Sequence, residues 1–373
     1  MYLTRQPDPH ATLWRLAGAA FAVGLAAIFA VAYAGRIPAI IGLLPHYDVY
    51  GHMALYGLLA YLMHRSLQRL GVRCGALTMP VGPVLILALA AAEMYVNGVS
   101  TRRVRNIVET MCGFEISAAQ VSEASKTLDV ELVKWRHRPI GCIKALVLDA
   151  LYEKVRIDGA VVSCAVLIAT GIRQDGRRTI LGISAKISEA EPHWRAFLQS
   201  LKERGIHGVV FIVSDDHEGL KRALQATFPG VPWQRCQTHL QRNAQAYITK
   251  ADLRAPVAAD IRAIFNAPSR EEAERLLAAA CERYGKTQAK LAAWMEDNLP
   301  DGFAVFALPE PLRRRLRTSN MAEMLNRQIR RRTRVVGLFP NEDSLLRLVS
   351  AILMEISEDW ETDKTYLNME ALP

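Results

Sequence analysis

Acidic side chains stand at two points where a chain is built to deliver them. Val209 to Val213 is a run of five apolar residues, β-branched or aromatic, and reads as a fully buried strand. It ends in Ser214, Asp215 and Asp216, and an amphipathic run follows with Leu220, Ala223 and Leu224 at helical spacing. Lys144 to Asp149 repeats the design, an apolar strand that ends on Asp149. In α/β folds, active sites collect at the C-terminal edge of such strands. The competing role for Ser214 or Asp215 is an N-cap on the helix that follows. A third acid stands out by its setting. Nine Arg fall between residues 313 and 334, and Glu323 is the single acid among them. Repulsion among nine guanidinium groups favours a polyanionic partner, and a carboxylate kept inside that field has a separate task.

The elements that must position these acids follow from the patterning. Val161 to Thr170 and Arg177 to Lys186 read as two strands, with Gln174-Asp175-Gly176 as the turn of a hairpin. Ala190 to Glu203 is an amphipathic helix that carries Trp194, Phe197, Leu198 and Leu201. The helix after Val213 runs to Phe228, and Trp233 to Cys236 is a short fifth strand. Three strands, helix, strand, helix, strand is the ribonuclease-H-like order, an α/β sheet with acids at strand ends. From His239 to about Pro311 the chain turns polar and helical, with helices at Val257–Phe265, Arg270–Tyr284 and Gln288–Asn298. This is an all-helical insertion, over about 238–312. Beyond it, Met321, Met324, Leu325, Gln328 and Ile329 form one mostly apolar stripe, while Glu323, Arg327, Arg330, Arg331 and Arg334 share another.

Composition sets the outer bounds. The chain has 373 residues, enough for two or more domains, and a formal net charge of +9. That balance suits nucleic acid or an anionic membrane. The six cysteines are scattered without a CxxC, which argues against a disulfide framework. Residues 1–93 carry six Arg against Asp8, Asp48 and Glu93 and are otherwise largely apolar. Two unlike pieces therefore join near Glu93.

In the first piece, Leu16 to Gly35 is uncharged and long enough to cross a bilayer as a helix. A cleaved signal peptide fits less well, because the apolar run is long and AYAG at 32–35 is a weak cleavage site. Met53 to Met63 is short for a span. Gly75 to Ala92 is long enough, with Pro80 and Pro83 as kinks. Arg bias puts the N-terminus and the 65–73 loop in the cytoplasm, so a third span would send everything after residue 92 outside the cell. The stretch GRIPAIIGLLPHYDVYGHMALYGLLAYLMHRSL resembles the VanZ-like membrane proteins, with Asp48, His52 and Tyr56 at the matching positions. Residues 93–141 read as two short helices around Cys112-Gly113-Phe114, a helix-turn-helix-like arrangement in which Arg102, Arg103 and Arg105 meet DNA phosphates.

Four ordered motifs carry a second resemblance: Asp149, SDDHEGL at 214–220, CQTHLQRN at 236–243 and TSNMAEMLNRQIRRR at 318–332. From about Glu93 to about Trp360 the chain resembles the mutator-type transposases of bacterial insertion sequences. The resemblance implies an Asp-Asp-Glu triad at Asp149, Asp215 and Glu323, with Glu323 beyond the helical insertion. Asp216 stands where a small residue is expected, and Met324 replaces the usual Arg after the acid. Cys236-x2-His239 matches the family's signature; two ligands do not make a zinc site, so the pair is expected to support the acids structurally. Three carboxylates repel one another and call for Mg²⁺ or Mn²⁺, two ions roughly 3.5–4 Å apart.

The function implied is metal-dependent DNA strand cleavage at element ends and strand transfer into target DNA. The alternative is an inactive remnant fused to a VanZ-like membrane protein. Expected partners are double-stranded DNA, both terminal repeats and target, and further copies of the chain on that DNA. Residues 16–92 add a possible membrane association. DNA contacts are assigned to Arg102, Arg103, Arg105, Arg327, Arg330, Arg331, Arg332 and Arg334. The expected organisation is a VanZ-like membrane segment at 1–92 and a helix-turn-helix-like segment at 93–141. A ribonuclease-H-like catalytic domain at 142–360 and a tail at 361–373 follow. The catalytic part belongs in the cytoplasm, at the nucleoid.

Overall fold

The structure is a computed structural model that describes residues 128–362 and 364–369. In the N-terminal part it describes residues 2–4, 10, 12–21, 58, 61, 62, 65, 71–74 and 77–80. The chain divides into two compact units, Met1–Tyr95 with Ser100–Ser125, and Lys126–Pro373 with Val96–Val99.

In the first unit, β1 (Tyr2–Thr4), β2 (Gly71–Cys74) and β3 (Leu77–Pro80) form an antiparallel sheet in chain order. Residues 12–21 are helical. Trp14 meets Tyr61 edge-on at 5.8 Å and carries the Arg65 guanidinium at 4.5 Å. A helical span over 75–92 does not hold, because Leu77–Pro80 pairs as a strand. Pro80 is the physical reason: it biases Met79 before it to extended backbone. Among the described residues, no helix is long and apolar enough to cross a membrane. Residues 22–35 of the first expected span, Asp48, His52, Tyr56, and the segment with Arg102, Arg103 and Arg105 lie outside the described residues.

The second unit opens with α1 (Asp129–Arg136). Then come β4 (Ile143–Ile157), β5 (Ala160–Arg173), β6 (Arg178–Lys186), α2 (Glu191–Glu203), β7 (Phe211–Ser214), α3 (Glu218–Thr227) and β8 (Trp233–Arg235). The element order is the expected one. The sheet runs β6-β5-β4-β7-β8, antiparallel among β4, β5 and β6 and parallel from β4 through β7 to β8. Three boundaries differ from expectation. First, β4 does not stop at Asp149 but continues to Ile157, paired throughout with β5. Asp158 (φ 47°) and Gly159 (φ 83°) turn that hairpin in left-handed backbone, the conformation an Asp-Gly pair favours. Second, β7 begins at Phe211, not Val209. Third, α3 begins at Glu218 with His217 at its N-cap, so neither Ser214 nor Asp215 caps it.

Packing follows the stripes. Trp194, Phe197, Leu198 and Leu201 of α2 join Leu220, Ala223 and Leu224 of α3 over Leu146, Leu148, Leu167 and Ile212 of the sheet. Each large apolar side chain so buried contributes about 1.5–3 kcal/mol. The helical insertion has a separate core. Its helices are α4 (Gln237–Ala244), α5 (Arg254–Phe265), α6 (Arg270–Gly285) and α7 (Ala289–Asn298), packed around Leu240, Ile261, Leu277, Met295 and Phe303. The Ser269 hydroxyl caps α6 by accepting from Glu272 N. α8 (Glu310–Leu316) and α9 (Asn320–Val336) bring the chain back to the sheet. On α9 the buried stripe is Met321, Leu325, Ile329 and Thr333 with Ala322, a spacing of four that leaves Gln328 exposed. α10 (Glu342–Thr362) packs on β4 and β6 and buries Leu345, Leu348, Val349, Ile352 and Leu353. The expected tail is also held: Tyr366 N and Leu367 N donate to Gly176 O.

Trp194 is fully buried and Val161 is 54% exposed. Trp194→Ala should cost about 3–5 kcal/mol in urea unfolding, and Val161→Ala no more than about 0.5. Equal losses would contradict the packing described.

Candidate active site

The parallel pairing of β4 with β7 covers only Ala145–Val147 against Phe211–Val213. Asp149 and Asp215 come just beyond, where the two strands part. α9 closes the gap. Asn326 Nδ2 donates to Asp149 Oδ2 at 2.8 Å, and Thr333 Oγ1 donates to Glu153 Oε1 at 2.7 Å. After α9, Phe339 pairs with β4, donating to Lys154 O and accepting from Arg156 N, each at 2.9 Å. β4 thus keeps a partner on its second edge, which is why it runs past Asp149. Glu323 lies in the first turn of α9, where the exposed N–H groups of the helix favour a carboxylate.

The start of α9 is held by Cys236. Its backbone N–H donates to Ser214 O at 2.8 Å, and its sulfur accepts from Ser319 N at 3.3 Å. Gln237 N donates to Arg317 O at 3.0 Å. Cys236 and Ser319 are fully buried. One residue, through its backbone N–H and its sulfur, therefore ties the end of the Asp215 strand to the beginning of the Glu323 helix.

His239 sits between the acids. Its Nδ1 is 3.6 Å from Asp215 Oδ1 and its Nε2 is 3.6 Å from Glu323 Oε1. The neighbouring Cys236 sulfur, helped by Asp215 and Asp149, outweighs burial and raises the imidazole to about 9, so it is charged at neutral pH. Arg242 Nη2 donates to Glu323 Oε2 at 3.2 Å, and its Nη1 lies 3.2 Å from Oε1. Burial pushes the Asp149 carboxyl up to about 6. Asp215 and Glu189 add to that rise, while the Ala150 N–H and His239 oppose it. Asp216 is already neutralised, by Lys221 Nζ at 2.8 Å and Arg235 Nη1 at 3.0 Å. Asp215, 45% exposed, faces the same cleft as Asp149 and Glu323, an opening of about 610 Å³ that Arg327 and Arg330 also line.

The remaining arginines divide. Arg331 and Arg334 are exposed on α9 away from the cleft lining. Arg332 donates to Glu355 Oε2 at 2.9 Å and does not line the cleft.

The donor set suits a divalent cation in kind, since Mg²⁺ and Mn²⁺ take oxygen ligands. Glu323 Oε1 and Asn326 Oδ1 are buried acceptors without a hydrogen bond, a cost that a bound cation would offset. Among the described residues, no three His, Cys, Asp or Glu side chains are drawn together tightly enough to hold a metal ion. His239 and Arg242 supply the counter-charge in this arrangement. Cys236 spends its sulfur on Ser319 N rather than on a metal.

The sequence profile described as "Transposase, Mutator family" matches residues 86–363. The chain belongs to this family. It is 55% identical over 282 residues to the transposase for insertion sequence element IS406 of Burkholderia multivorans, covering 75% of this chain and 73% of that protein. It is 41% identical over 287 residues to the transposase for ISRM5 of Rhizobium meliloti, covering 77% and 72%. It is 35% identical over 291 residues to the transposase for IS256 in transposon Tn4001 of Staphylococcus aureus, covering 76% and 74%.

Three polar residues of this Mutator-family cleft are not apparent from sequence: Asn320, Asn326 and Arg242. Asn326 and Arg242 lie inside the quoted motifs, three residues after Glu323 and after His239, a helical spacing that puts each beside its acid or imidazole. Glu189, outside the cleft lining, carries no local signal and acts on Asp149 only as a nearby negative charge.

Cys236→Ala would leave the buried Ser319 N–H without an acceptor and should destabilise the chain by about 1–3 kcal/mol. Cys236→Ser keeps an acceptor and should lose less. Indistinguishable urea midpoints for the two variants would remove this role.

Proposed function

We propose that the chain is a DNA transposase of an insertion sequence. It cuts strands at the ends of its element and joins them to target DNA, with Asp149, Asp215 and Glu323 as its acidic triad on a ribonuclease-H-like core. One observation carries the reading: acids from β4, the end of β7 and α9 face one cleft that arginines also line. The sheet order β6-β5-β4-β7-β8, with its first three strands antiparallel, supports the core assignment. The names of the relatives, all transposases for insertion sequence elements, support the activity.

Mg²⁺ or Mn²⁺, when bound, supplies Lewis acidity for attack by water or a 3′-hydroxyl and for departure of the strand's oxygen. The chain's own residues prepare that chemistry. Asp149, Asp215 and Glu323 provide the oxygen ligands. Asn326 fixes the Asp149 carboxylate through its hydrogen bond to Oδ2. His239 and Arg242 hold Asp215 and Glu323 in a charge-balanced arrangement. Arg327 and Arg330 receive the phosphates that flank the reacting one, and Arg331, Arg332 and Arg334 add positive field along α9. Arg102, Arg103 and Arg105 grip duplex phosphates, and further copies of the chain bring two ends together.

A second reading, an inactive remnant joined to a VanZ-like membrane segment, has one observation in its favour: the family match leaves residues 1–85 outside it. Fractionation of the tagged full chain separates the two. Extraction from membranes only by detergent supports a fused membrane segment, and a fully soluble chain counts against it.

The test of the main reading is Mg²⁺-dependent cleavage of DNA made from the gene's own flanking ends. Asp149→Asn, Asp215→Asn and Glu323→Gln should each slow cleavage by on the order of 10³-fold, several kcal/mol of barrier, with DNA binding kept. Folded Asp216→Asn should still cut, because that carboxylate serves Arg235 and Lys221. Near-wild-type cleavage by any of the first three variants would remove that residue from the triad.

The Asp149 carboxyl also predicts a pH limb. A cation requires it ionised, and without a cation it protonates at about 6. Apparent Mg²⁺ affinity should fall about tenfold per pH unit below that value. Raising Mg²⁺ should therefore shift the acid limb of cleavage to lower pH. A limb that stays fixed as Mg²⁺ rises would contradict the assignment.

A further inference from the structure

A second cleft, of about 400 Å³, lies against a different face of α4 from the one carrying His239 and Arg242. Gln241 of α4 lines it, with Arg262 of α5, Arg314 of α8, and Arg317 and Asn320 where α8 gives way to α9. Asn320 lines this cleft and the acidic one alike, so the two are contiguous. None of the residues lining the second cleft is an Asp or Glu.

Structural work does not account for the charges here. Arg313, one position away, shows what a structural arginine does in this segment: its guanidinium donates to the carbonyls of Leu308, Phe306 and Pro268. The Arg262 and Arg314 side chains, by contrast, make no ion pair or hydrogen bond to a described residue and are exposed. Arg315 lies 4.7 Å over the Tyr366 ring. Arg317 donates only to the neutral Asn266 Oδ1, at 2.6 Å, and burial and Arg314 both lower its pKa. Guanidinium groups converging on one concavity without an acid repel one another unless an anion lies among them.

We propose that this cleft is a second strand site. The DNA strand whose phosphate reacts at Asp149, Asp215 and Glu323 continues over Asn320, and its next phosphates are held by Arg262, Arg314 and Arg317. Gln241 and Asn320 offer neutral donors along the same path. The inference rests on the transposase reading of the acidic cleft and extends it by naming where the strand goes. Its ligand is the phosphodiester of that strand, which requires concentrated positive charge and no acid.

The experiment uses the full chain and duplex DNA from the gene's own flanks, with binding followed by fluorescence anisotropy from low to high salt. Each phosphate deprived of its guanidinium lowers the salt slope of log K by about 0.7–0.9. Arg262→Ala/Arg314→Ala should therefore flatten the slope by about 1.4–1.8, and Arg314→Ala alone by about half as much. Arg262→Lys/Arg314→Lys should keep most of the slope. The control is Arg275→Ala/Arg283→Ala, which removes the same charge from arginines already paired with Glu272 and Asp260; it should leave the slope unchanged. In cleavage, the Arg262→Ala/Arg314→Ala loss should appear in KM and recover at saturating DNA. An unchanged slope for that variant, or an equal change in the control, overturns the proposal; an acidic protein partner for the cleft would give the first result. A failed triad reading looks different: Asp149→Asn would cut like wild type while the slopes still separate.

Discussion

The open edge of β4 is the constraint on which the site depends. Past Val147 the strand no longer pairs with β7 but still carries backbone groups and two acidic side chains on that side. Buried backbone polar groups need partners. Phe339 meets that need at Lys154 and Arg156, just past the end of a helix that returns from beyond a whole helical insertion and binds the Asp149 and Glu153 side chains. Asn326 and Thr333 hold α9 to β4 at two places, and Phe339 anchors the segment that follows the helix. A helix so held has little freedom to slide, and Glu323 at its first turn inherits that fixity. The insertion can therefore be large without loosening the site, because its two ends are joined at Cys236 and Ser319 rather than through its body.

Charge balance is the second organising condition. Carboxylates held close in a half-buried cleft are costly unless opposite charge is near. In the chain alone, His239 and Arg242 meet that need, and Asp149, whose carboxyl is pushed up by burial, has only partial relief. Asn326 Oδ1 has no hydrogen bond and Glu323 Oε1 has ion-pair neighbours at 3.2 and 3.6 Å but no hydrogen bond, so the protein groups do not complete the network. A site so arranged is stable enough to fold yet still short of positive charge, which suits a cation-dependent reaction on a phosphate. The basic side chains outside the cleft are sorted by the same logic. Some are consumed by carbonyls or carboxylates, as with Arg313 and Arg332, and others, as with Arg262 and Arg314, have side chains with no such partner among the described residues.

Much of this is legible in the sequence, for identifiable reasons. Strands 144–149 and 209–213 announce themselves as short apolar runs, and the amphipathic helices with Trp194 and Leu220 by their periodicity. The element order follows from those. The stopping points do not. β4 outruns Asp149 because α9 and Phe339 support it, a tertiary effect that no local pattern records. The Asp158-Gly159 turn carries as clear a local signal as Gln174-Asp175-Gly176, and both are turns in the structure. Asp215 can be preferred over Asp216 only from family pattern; the structure adds the physical ground, because Arg235, far away in sequence, claims Asp216. The charge run of α8 and α9 reads as a single basic block, since spacing alone does not separate an arginine bound by carbonyls from one open to DNA.

The central claim is that Asp149, Asp215 and Glu323 form one cation site. Titration calorimetry of Mn²⁺ into the full chain near pH 7.5 tests it without relying on a DNA substrate. The account predicts that wild type and Asp216→Asn bind Mn²⁺ alike, and that Asp149→Asn and Glu323→Gln each lose most of the binding heat although these residues lie on different elements. Wild-type isotherms from both of those variants would contradict it.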